Sequence, residues 1–378
     1  MNTELPQSVS PAIPGLPCSD MLFDCLPTRI AGRSIGMARL NRPGALNALN
    51  LTMVQAMLSQ FRAWASDTSI VAVVLLGQGP KGFCAGGDVA EVVRQVRSNR
   101  PDRFVYGDAF FEVEYQLDAL IHSYPKPFVT WAHGVDMGGG VGLSVAGSER
   151  IVSEGLKLAM PEIHIGLFPD VGGGWFLNRV PGEAGVFLAL TGAILHEGDA
   201  LHAGLADHAI ALARQPEFMS ALTALPWSGQ AMQDRLLLRE HCLSFAAEQA
   251  LTLPPSDLAR LAPAIRTIGS QPSAAHLLRA LQQEAVYESW FERPLANLVQ
   301  GSPTGACVTF EYMRRSRKLG IHEVLALDLI LARQCQRHHD FPEGVRALLI
   351  DKTRDARWSY ASIEAVEADA VQAFFASC

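Results

Sequence analysis

Three consecutive glycines, Gly138–Gly140, are the most restrictive local feature of this chain of 378 residues. They follow Phe128–Ala132, whose β-branched and aromatic residues predict a strand. Because glycine lets the backbone approach other groups closely, we expect this strand to lead into a helix entrance whose N–H groups face a ligand oxygen. Two carboxylates come next, Glu162 in Met-Pro-Glu and Asp170 in Phe-Pro-Asp. They are candidates for acid–base or nucleophilic chemistry, with solvated loop carboxylates as the alternative.

The first part of the chain alternates between strand and helix patterns, which predicts an α/β arrangement. Ile70–Leu76 is a continuous apolar run typical of a buried strand, whereas Thr52–Ser66 carries apolar residues at helical spacing. From about residue 215 the sequence becomes rich in Leu and Ala and indicates mainly helices. We therefore predict a flexible lead-in over residues 1–26, a core over 27–214, and a mainly helical C-terminal region over 215–378 packed on the core.

Composition excludes several broad classes of function. Hydrophobic residues make up 49% of the chain and charged residues 18%, which predicts a well-buried globular protein. A net charge of −7 without a basic stripe argues against nucleic-acid binding. The densest basic cluster, Arg314–Lys318, is expected to be a solvated helix face, with contact to an anion such as a nucleotide phosphate as the alternative. No apolar stretch approaches the roughly 18 residues of a membrane span, so we expect no membrane association.

Cysteine and histidine usage gives no sign of a metal centre or a disulfide framework. The seven cysteines are scattered and form no Cys-X-X-Cys pair, so reduced thiols are expected. The adjacent His338 and His339 would point in different directions on a helix and are expected to be structural. Residues 1–18 lack a basic segment followed by an apolar one and contain no arginine, which argues against a signal or transit peptide. Together these features predict a cytoplasmic protein without a metal.

Two segments match a known motif only in part. Gly77–Gly82 matches the dinucleotide fingerprint GxGxxG, but Phe83–Gly87 intervenes before a helix can begin. Pyrophosphate binding needs the helix N-terminus directly after the turn. Gly142–Ala146 resembles the GxSxG nucleophile elbow but ends in alanine. We therefore predict neither a dinucleotide-binding fold nor a serine hydrolase.

A second glycine-containing segment, Cys84–Asp88, also ends at a predicted helix start. Backbone N–H groups at helix entrances have no intrahelical partner and point outward. Two such donors can hold one oxyanion, each about 3 Å away, and a thioester carbonyl is a suitable guest. The alternative is that Cys84–Asp88 and Gly138–Gly140 merely allow close packing of a helix on a strand.

Taken together, these segments resemble the crotonase, or enoyl-CoA hydratase/isomerase, superfamily over roughly residues 27–370. The resemblance implies an α/β fold, a crotonase-like spiral of β-β-α units, with an acyl-CoA thioester as substrate and the amides of Gly87 and Gly139 as its oxyanion hole. Coenzyme A would arrive as part of the substrate, so no separate cofactor is expected. The residues implied to line its adenine end are Ala85, Gly86, Gly87 and Asp88. The motifs that carry the resemblance are Leu40–Leu49, Gly82–Val89, Pro125–Pro127, His133–Gly140, Met160–Glu162 and Gly166–Pro169.

One branch of the superfamily matches in more detail. Hydratases carry a glutamate two residues after the glycine run, where this chain has Gly142, and a second glutamate that matches Glu162. Asp170 stands where hydratases usually have glycine. This combination resembles the 3-hydroxyisobutyryl-CoA hydrolases, which implies cleavage of 3-hydroxyisobutyryl-CoA to 3-hydroxyisobutyrate and CoA, as in valine breakdown. Further segments that resemble this branch are Phe168–Gly174, Leu188–Gly192, Ser302–Thr304, His339–Ala347, Asp351–Lys352 and Trp358.

The resemblance also implies roles for individual side chains. Glu162 would attack the thioester to form a mixed anhydride or would activate water, and both routes remain open. Asp170 would hold the substrate β-hydroxyl or transfer a proton to the leaving thiolate. Glu114 matches a position that contacts substrate, with a solvated helix residue as the alternative. His164 departs from the family pattern and would either perturb the pKa of Glu162 or point away from it.

Two other functions remain open at the level of sequence. An enoyl-CoA hydratase or isomerase would act through Glu162 alone, and Gly142 argues against it. A non-catalytic acyl-CoA-binding or assembly protein would not need Glu162, Asp170 and both glycine segments intact. Crotonase relatives often form trimers or hexamers, so a homo-oligomer is one expectation, although the long C-terminal half can replace those contacts.

Overall fold

The computed structural model describes residues 18–98, 100–248 and 250–376. Its strands are β1 (Met21–Pro27), β2 (Ser34–Leu40), β3 (Ile70–Gly77), β4 (Gly82–Cys84), β5 (Phe128–Ala132), β6 (Val135–Met137), β7 (Glu149–Val152), β8 (Lys157–Ala159) and β9 (His208–Ala209). Its first helices are α1 (Leu51–Ser66), α2 (Val89–Val96), α3 (Val105–His122), α4 (Gly139–Ala146), α5 (Gly173–Phe176), α6 (Ala184–Thr191), α7 (Glu197–His202), α8 (Gln215–Ala224) and α9 (Ala231–Glu248). The later helices are α10 (Asp257–Arg260), α11 (Ala262–Gly269), α12 (Ala274–Glu284), α13 (Glu292–Gln300), α14 (Pro303–Ser316), α15 (Ile321–Arg337), α16 (Asp340–Val345) and α17 (Ala368–Ala373).

The chain forms two compact units, each built from separate stretches of sequence. The first unit comprises the described residues up to Gly87, together with Gln116–Leu158 and Leu195–Ser256. The second unit comprises Asp88–Tyr115, Ala159–Ile194 and the described residues from Asp257 onward. Residues 215–256, which the sequence placed in the C-terminal region, belong to the first unit, and the predicted domain boundary at residue 214 stays a prediction.

The first unit contains the sheets. Within the described residues, a six-stranded sheet has the order β1-β2-β3-β5-β7-β9, and a three-stranded sheet has the order β4-β6-β8. In the larger sheet β1 pairs antiparallel with β2, and the strands from β2 to β9 pair in parallel. Ile70–Leu76 is buried along its whole length, as expected for a central parallel strand. The sequence predictions of strands at 70–76 and 128–132 are confirmed.

The predicted flexible lead-in is wrong for residues 21–26, which form most of β1. Met21 pairs with Leu40 and Leu26 pairs with Ile35, so the backbone of this segment is held in the sheet ladder. Its side chains are mostly half-buried or exposed, as is usual for an edge strand, and they give no clear apolar alternation in the sequence. Residues 1–17 lie outside the described residues.

Helix α1 covers one part of the first unit. It begins at Leu51 because the Asn50 side chain accepts a hydrogen bond of 2.8 Å from the Met53 amide, which satisfies an otherwise unpaired helix donor. Its buried face includes Phe61 and Trp64, whose rings stack with centroids 6.0 Å apart. The amphipathic helix predicted from apolar spacing is therefore confirmed.

A hydrophobic core lies between the larger sheet and helices α8 and α9. Trp131 of β5 packs edge-to-face on Phe218 of α8, with centroids 5.2 Å apart, and Phe218 packs edge-to-face on Phe245 of α9. The buried Trp131 indole is satisfied by a hydrogen bond of 2.7 Å to the Ser153 hydroxyl. No helix among the described residues is long and apolar enough to cross a membrane.

The second unit is mainly helical. Helix α14 begins at Pro303, and its N-cap Ser302 accepts a hydrogen bond of 2.8 Å from the Gly305 amide while donating one of 2.6 Å to Asp340. The Tyr312 ring of this helix packs edge-to-face on Phe168, with centroids 5.0 Å apart. These contacts tie the segment around Phe168, which leads to Asp170, to a helix of the C-terminal region.

Candidate active site

The two glycine segments predicted to form an oxyanion hole lie against each other in the first unit. Gly86 has a φ of +95°, and a Cβ atom there would lie 2.9 Å from the Met137 carbonyl oxygen and 3.3 Å from the Gly139 nitrogen. A Cβ atom on Gly140 would lie 2.5 Å from the Cys84 carbonyl oxygen. Contacts this short leave no room for a side chain, so glycine is required where the segments meet.

The N–H groups of Gly87 and Gly139 each point away from neighbouring secondary structure. For Gly87 this is the backbone pairing with Leu49, and for Gly139 it is helix α4. The Leu49 amide donates to the Gly86 carbonyl oxygen at 2.8 Å, and in a trans peptide the Gly87 N–H points opposite to that carbonyl. The Gly138 carbonyl likewise accepts from Val141 within the first turn of α4, so the Gly139 N–H points out of the helix entrance. Both donors are thus oriented to bind an acceptor other than their own ladder or helix.

Asp136 lies directly beneath the glycine run and was missed by sequence reasoning. Its Oδ2 accepts a hydrogen bond of 2.6 Å from the Ser144 hydroxyl, and a Cβ atom on Gly140 would lie 2.7 Å from its Oδ1. Burial raises the pKa of Asp136 to about 7, although the Ser144 hydrogen bond opposes this shift. The signal in the sequence is a lone aspartate in an otherwise apolar strand.

The second unit carries the two predicted catalytic carboxylates. Glu162 opens a short 3-10 turn, Glu162–Ile165, directly after β8, and Asp170 precedes the turn that leads into α5. Both side chains are buried, with 5% and 4% of their surface exposed, so the solvated-loop alternative is excluded. The Glu162 Oε2 atom is buried without a hydrogen-bond partner. A buried acceptor without a partner is costly for folding and therefore indicates a group kept for another purpose.

The two carboxyl groups influence one another's protonation. Burial, followed by the negative charge of Asp170, raises the pKa of Glu162 well above its usual value. Burial also raises the pKa of Asp170 to about 6, while a hydrogen bond from Tyr115 favours its charged form. At neutral pH Asp170 is thus mostly ionised, whereas Glu162 is the more reluctant of the two to lose its proton, so the environments of the pair push their pKa values apart.

Tyr115 is a site residue that sequence reasoning missed. Its buried hydroxyl donates a hydrogen bond of 2.7 Å to Asp170 Oδ2. Asp328 was also missed, and its Oδ2 accepts a hydrogen bond of 2.8 Å from the Gly172 amide, two residues beyond Asp170. The only signal for Asp328 in the sequence is an aspartate within the apolar run Leu325–Leu331.

Two further predicted residues, Glu114 and His164, are placed as follows. Glu114 is buried on α3, which excludes the solvated-helix alternative, and its charge is among those that raise the pKa of Tyr115. Burial followed by the charge of Arg293 lowers the pKa of His164, while an interaction with Asn297 of α13 opposes this shift. His164 is thus engaged by α13, in agreement with the interpretation that it points away from Glu162.

The predicted coenzyme A segment has the geometry of a tight backbone connection. The Ala85 amide donates to the Leu46 carbonyl oxygen at 2.9 Å, and Gly86 adopts the positive φ given above. Asp88 is the N-cap residue of α2. The role of Ala85, Gly86, Gly87 and Asp88 in binding coenzyme A stays a prediction.

The basic cluster and the histidine pair take part in structural contacts. Arg314 and Arg315 both hydrogen-bond Glu311 at 2.7 Å. His339 contacts the Arg357 carbonyl oxygen at 2.8 Å through Nε2, and His338 packs against Phe374. These contacts agree with the interpretation of the Arg314–Lys318 cluster as a helix face and of the histidines as structural.

One group of metal-type donors occurs among the described residues. Glu149, His208 and Cys242 are buried in the first unit, and their donor atoms lie within 4.8 Å of one another. However, His208 Nε2 and Glu149 Oε2 form a hydrogen bond of 2.7 Å, and burial raises the pKa of the Cys242 thiol. A metal would need the thiolate, so this arrangement suits a buried polar pair better than a metal site. The expectation of no metal stays a prediction.

Comparison with known proteins assigns the family. Residues 35–375 match the model of the enoyl-CoA hydratase/isomerase family. The chain therefore belongs to the enoyl-CoA hydratase/isomerase family, and the resemblance and the fold class inferred from the sequence are confirmed. It is 38% identical to the mitochondrial 3-hydroxyisobutyryl-CoA hydrolase of Xenopus tropicalis over 354 residues, which cover 94% of this chain and 89% of that protein.

Two other relatives broaden this picture. The crystal structure of a carnitinyl-CoA dehydratase from Mycobacterium thermoresistibile superposes with a TM-score of 0.82 at 32% identity, covering 96% of this chain and 97% of that one. The small ribosomal subunit protein mS47 of Neurospora crassa is 34% identical over 361 residues, which cover 92% of this chain and 69% of that protein. The same architecture therefore occurs in proteins with different names.

Proposed function

We propose that this protein is an acyl-CoA thioester hydrolase that cleaves 3-hydroxyisobutyryl-CoA to 3-hydroxyisobutyrate and free CoA. The observation that carries the proposal is the buried pair Glu162 and Asp170, with glycine at position 142 where a hydratase has its first glutamate. The similarity to the frog hydrolase over nearly the whole chain supports the same substrate. The reaction would serve valine breakdown.

The chemistry begins with polarisation of the thioester carbonyl. The amides of Gly87 and Gly139 would donate to its oxygen, and the loss of one such donor typically costs on the order of 3 kcal/mol of transition-state stabilisation. Charge then develops on the oxygen as a nucleophile adds to the carbonyl carbon. The proposal uses backbone donors for this task because they keep the same positions before and during the reaction.

The second part of the chemistry delivers the nucleophile, and two routes are open. On the first route Glu162 would add directly to the carbonyl carbon and release the CoA thiolate, which leaves a mixed anhydride for water to cleave. On the second route Glu162 would take a proton from a water molecule while that water adds to the carbonyl carbon. Burial and the charge of Asp170 raise the pKa of Glu162, and a carboxylate with a raised pKa is a stronger base than an exposed one, which favours its use as a base.

Asp170 would recognise the substrate's β-hydroxyl group. Tyr115 occupies its Oδ2, and an ionised carboxylate has further acceptor positions for a hydroxyl donor. The pKa of about 6 keeps Asp170 mostly ionised at neutral pH. Substrates without the hydroxyl would leave this buried charge without a new partner, so selectivity for hydroxylated esters is expected. Glu114 is proposed as a further substrate contact.

The test is free-thiol release from 3-hydroxyisobutyryl-CoA, with acetyl-CoA and crotonyl-CoA measured in parallel. Rapid release from the hydroxylated ester and slow release from acetyl-CoA would support the hydrolase. If none of the three esters releases thiol, the proposed hydrolase function is wrong.

A second candidate function is hydration or dehydration of an acyl-CoA, because the structurally similar Mycobacterium protein is named a dehydratase. Loss of the enoyl absorbance of crotonyl-CoA without thiol release would favour this function. It would contradict the interpretation that Gly142, in place of a glutamate, argues against a hydratase. Binding of CoA esters without any turnover would favour a non-catalytic role instead. The cytoplasmic location and a homo-oligomeric state stay predictions, and light scattering would decide the latter.

A further inference from the structure

The loop after Asp170 has an unfavourable backbone conformation. Val171 has a φ of +49° and Gly172 a φ of +83°, so two successive residues lie in the left-handed region. Glycine adopts this region freely, but a β-branched valine rarely does. A conformation of this kind persists only when the surrounding structure holds it in place. The residues that hold this loop therefore also fix where the Asp170 carboxylate points.

Two side chains from the C-terminal helices hold the loop. Asp328 of α15 accepts a hydrogen bond of 2.8 Å from the Gly172 amide, and Tyr312 of α14 accepts one of 2.8 Å from the Gly174 amide. Tyr312 also interacts with Asp328, because its hydroxyl opposes the burial that raises the pKa of Asp328. Both side chains have no exposed surface. The loop backbone is thus anchored at alternate residues by one buried, connected pair.

Simple packing does not explain an aspartate at this position. The Asp328 Oδ1 atom is buried without a hydrogen-bond partner, and burial raises the pKa of Asp328 well above its usual value, with the charge of Asp170 adding to the shift. An apolar residue would fill the same space on α15 without this cost. The carboxyl group is therefore kept for what its other oxygen does, which is to accept the hydrogen bond from the loop.

We propose that Asp328 and Tyr312 are positioning residues that fix the loop Asp170–Gly174 and thereby place the Asp170 carboxylate for the substrate. The inference rests on the proposed function of Asp170 for its effect on turnover. The C-terminal helices α14 and α15 then contribute to activity through this loop. Neither side chain needs to touch the substrate.

The test compares Asp328→Ala, Asp328→Asn and Tyr312→Phe with Leu325→Ala, a buried truncation on the same helix as Asp328. We expect Asp328→Ala to lower kcat for 3-hydroxyisobutyryl-CoA by about tenfold to a hundredfold with little change in KM, because misplacement of a catalytic group mainly affects the chemical step. Tyr312→Phe should lower kcat less. Asp328→Asn keeps an acceptor oxygen for Gly172 and should restore most of the activity.

Amide hydrogen exchange gives a readout that does not depend on activity. Asp328→Ala should speed exchange at the Gly172 amide, Tyr312→Phe should speed it at the Gly174 amide, and Leu325→Ala should spare both. If the wild type releases no thiol from any ester, the proposed function fails, and the exchange rates still decide whether the pair holds the loop. Unchanged exchange in Asp328→Ala and Tyr312→Phe, or an equal fall in kcat for Leu325→Ala, would overturn the inference.

Discussion

The Tyr115 hydroxyl donates a hydrogen bond of 2.7 Å to Asp170 Oδ2, and both side chains are buried. The residues are 55 positions apart in the sequence. This hydrogen bond occupies one oxygen of the Asp170 carboxylate, whose pKa is raised mainly by burial. This contact limits the directions in which Asp170 can accept a second donor and favours its ionised form.

Removal of the Tyr115 hydroxyl is expected to shift the pH dependence of turnover. The Tyr115 hydrogen bond lowers the pKa of Asp170, against burial, which raises it to about 6. In Tyr115→Phe the pKa of Asp170 should therefore rise further, and the acidic limb of the kcat profile should move to higher pH. Turnover measured from about pH 5 to about pH 9 checks this. Tyr124→Phe, which removes the buried hydroxyl bonded to the Phe61 carbonyl oxygen, is the control and should leave the limb in place.

Neutralising Glu162 is expected to stabilise the fold at alkaline pH. Because burial and Asp170 raise the pKa of Glu162 in the folded state, ionisation of this group disfavours folding. The penalty is absent below the unfolded pKa of 4.5 and grows as the pH rises towards the folded value. Glu162→Gln should thus match the wild type near about pH 4 and be more stable than the wild type by about pH 8.

Denaturation midpoints at the two pH values check this stability gain. Glu197→Gln is the matched control, since that buried carboxylate accepts a hydrogen bond from the Leu156 amide and should gain nothing on neutralisation. A Glu162→Gln protein that is less stable than the wild type at alkaline pH would contradict the interpretation that this buried carboxyl group carries a folding cost.

Substitution of either carboxylate is expected to separate binding from turnover. Glu162→Gln and Asp170→Asn keep the shape of the side chain but remove its base or charge. Each should lower thiol release from 3-hydroxyisobutyryl-CoA by on the order of 10²–10⁴-fold while a non-hydrolysable CoA thioether still binds. Calorimetric titration alongside the thiol assay measures both effects. Glu217→Gln, at a largely exposed position, should behave as the wild type, and retained turnover in either test variant would exclude that residue from the mechanism.

An alanine at position 86 is expected to disrupt the paired glycine segments. Its Cβ atom would lie 2.9 Å from the Met137 carbonyl oxygen, which would push the segments apart. The matched control is Gly155→Ala, because Gly155 also has a positive φ, of +78°, but nothing lies within 4 Å of a Cβ atom there. Both variants carry the backbone cost of about 1–2 kcal/mol for a left-handed alanine. Only Gly86→Ala should lose most of its kcat as well, and equal kcat values for the two variants would show that the close approach is unimportant for turnover.

Local features of the fold were predictable from the sequence. The strand over 70–76 followed from a continuous apolar run and the helix over 52–66 from apolar spacing, and both patterns depend on residues a few positions apart. The edge strand β1 was not predictable, because its side chains are only partly buried and its stability comes from pairing with β2. The assignment of separate sequence stretches to each of the two units was also not predictable, since it depends on contacts between residues that are distant in the sequence.

The sequence by itself determined the glycine segments, the positions of Glu162 and Asp170, and the absence of a glutamate at position 142, because motif spacing is a property of neighbouring residues. Only the tertiary structure decided that both carboxylates are buried, that Tyr115 bonds one of them, and that Asp328 holds the adjoining loop from 156 positions away. Burial and long-range hydrogen bonds set the pKa values on which the chemistry depends. These quantities arise only when the chain has packed, since water screens and solvates the same groups in the unfolded state.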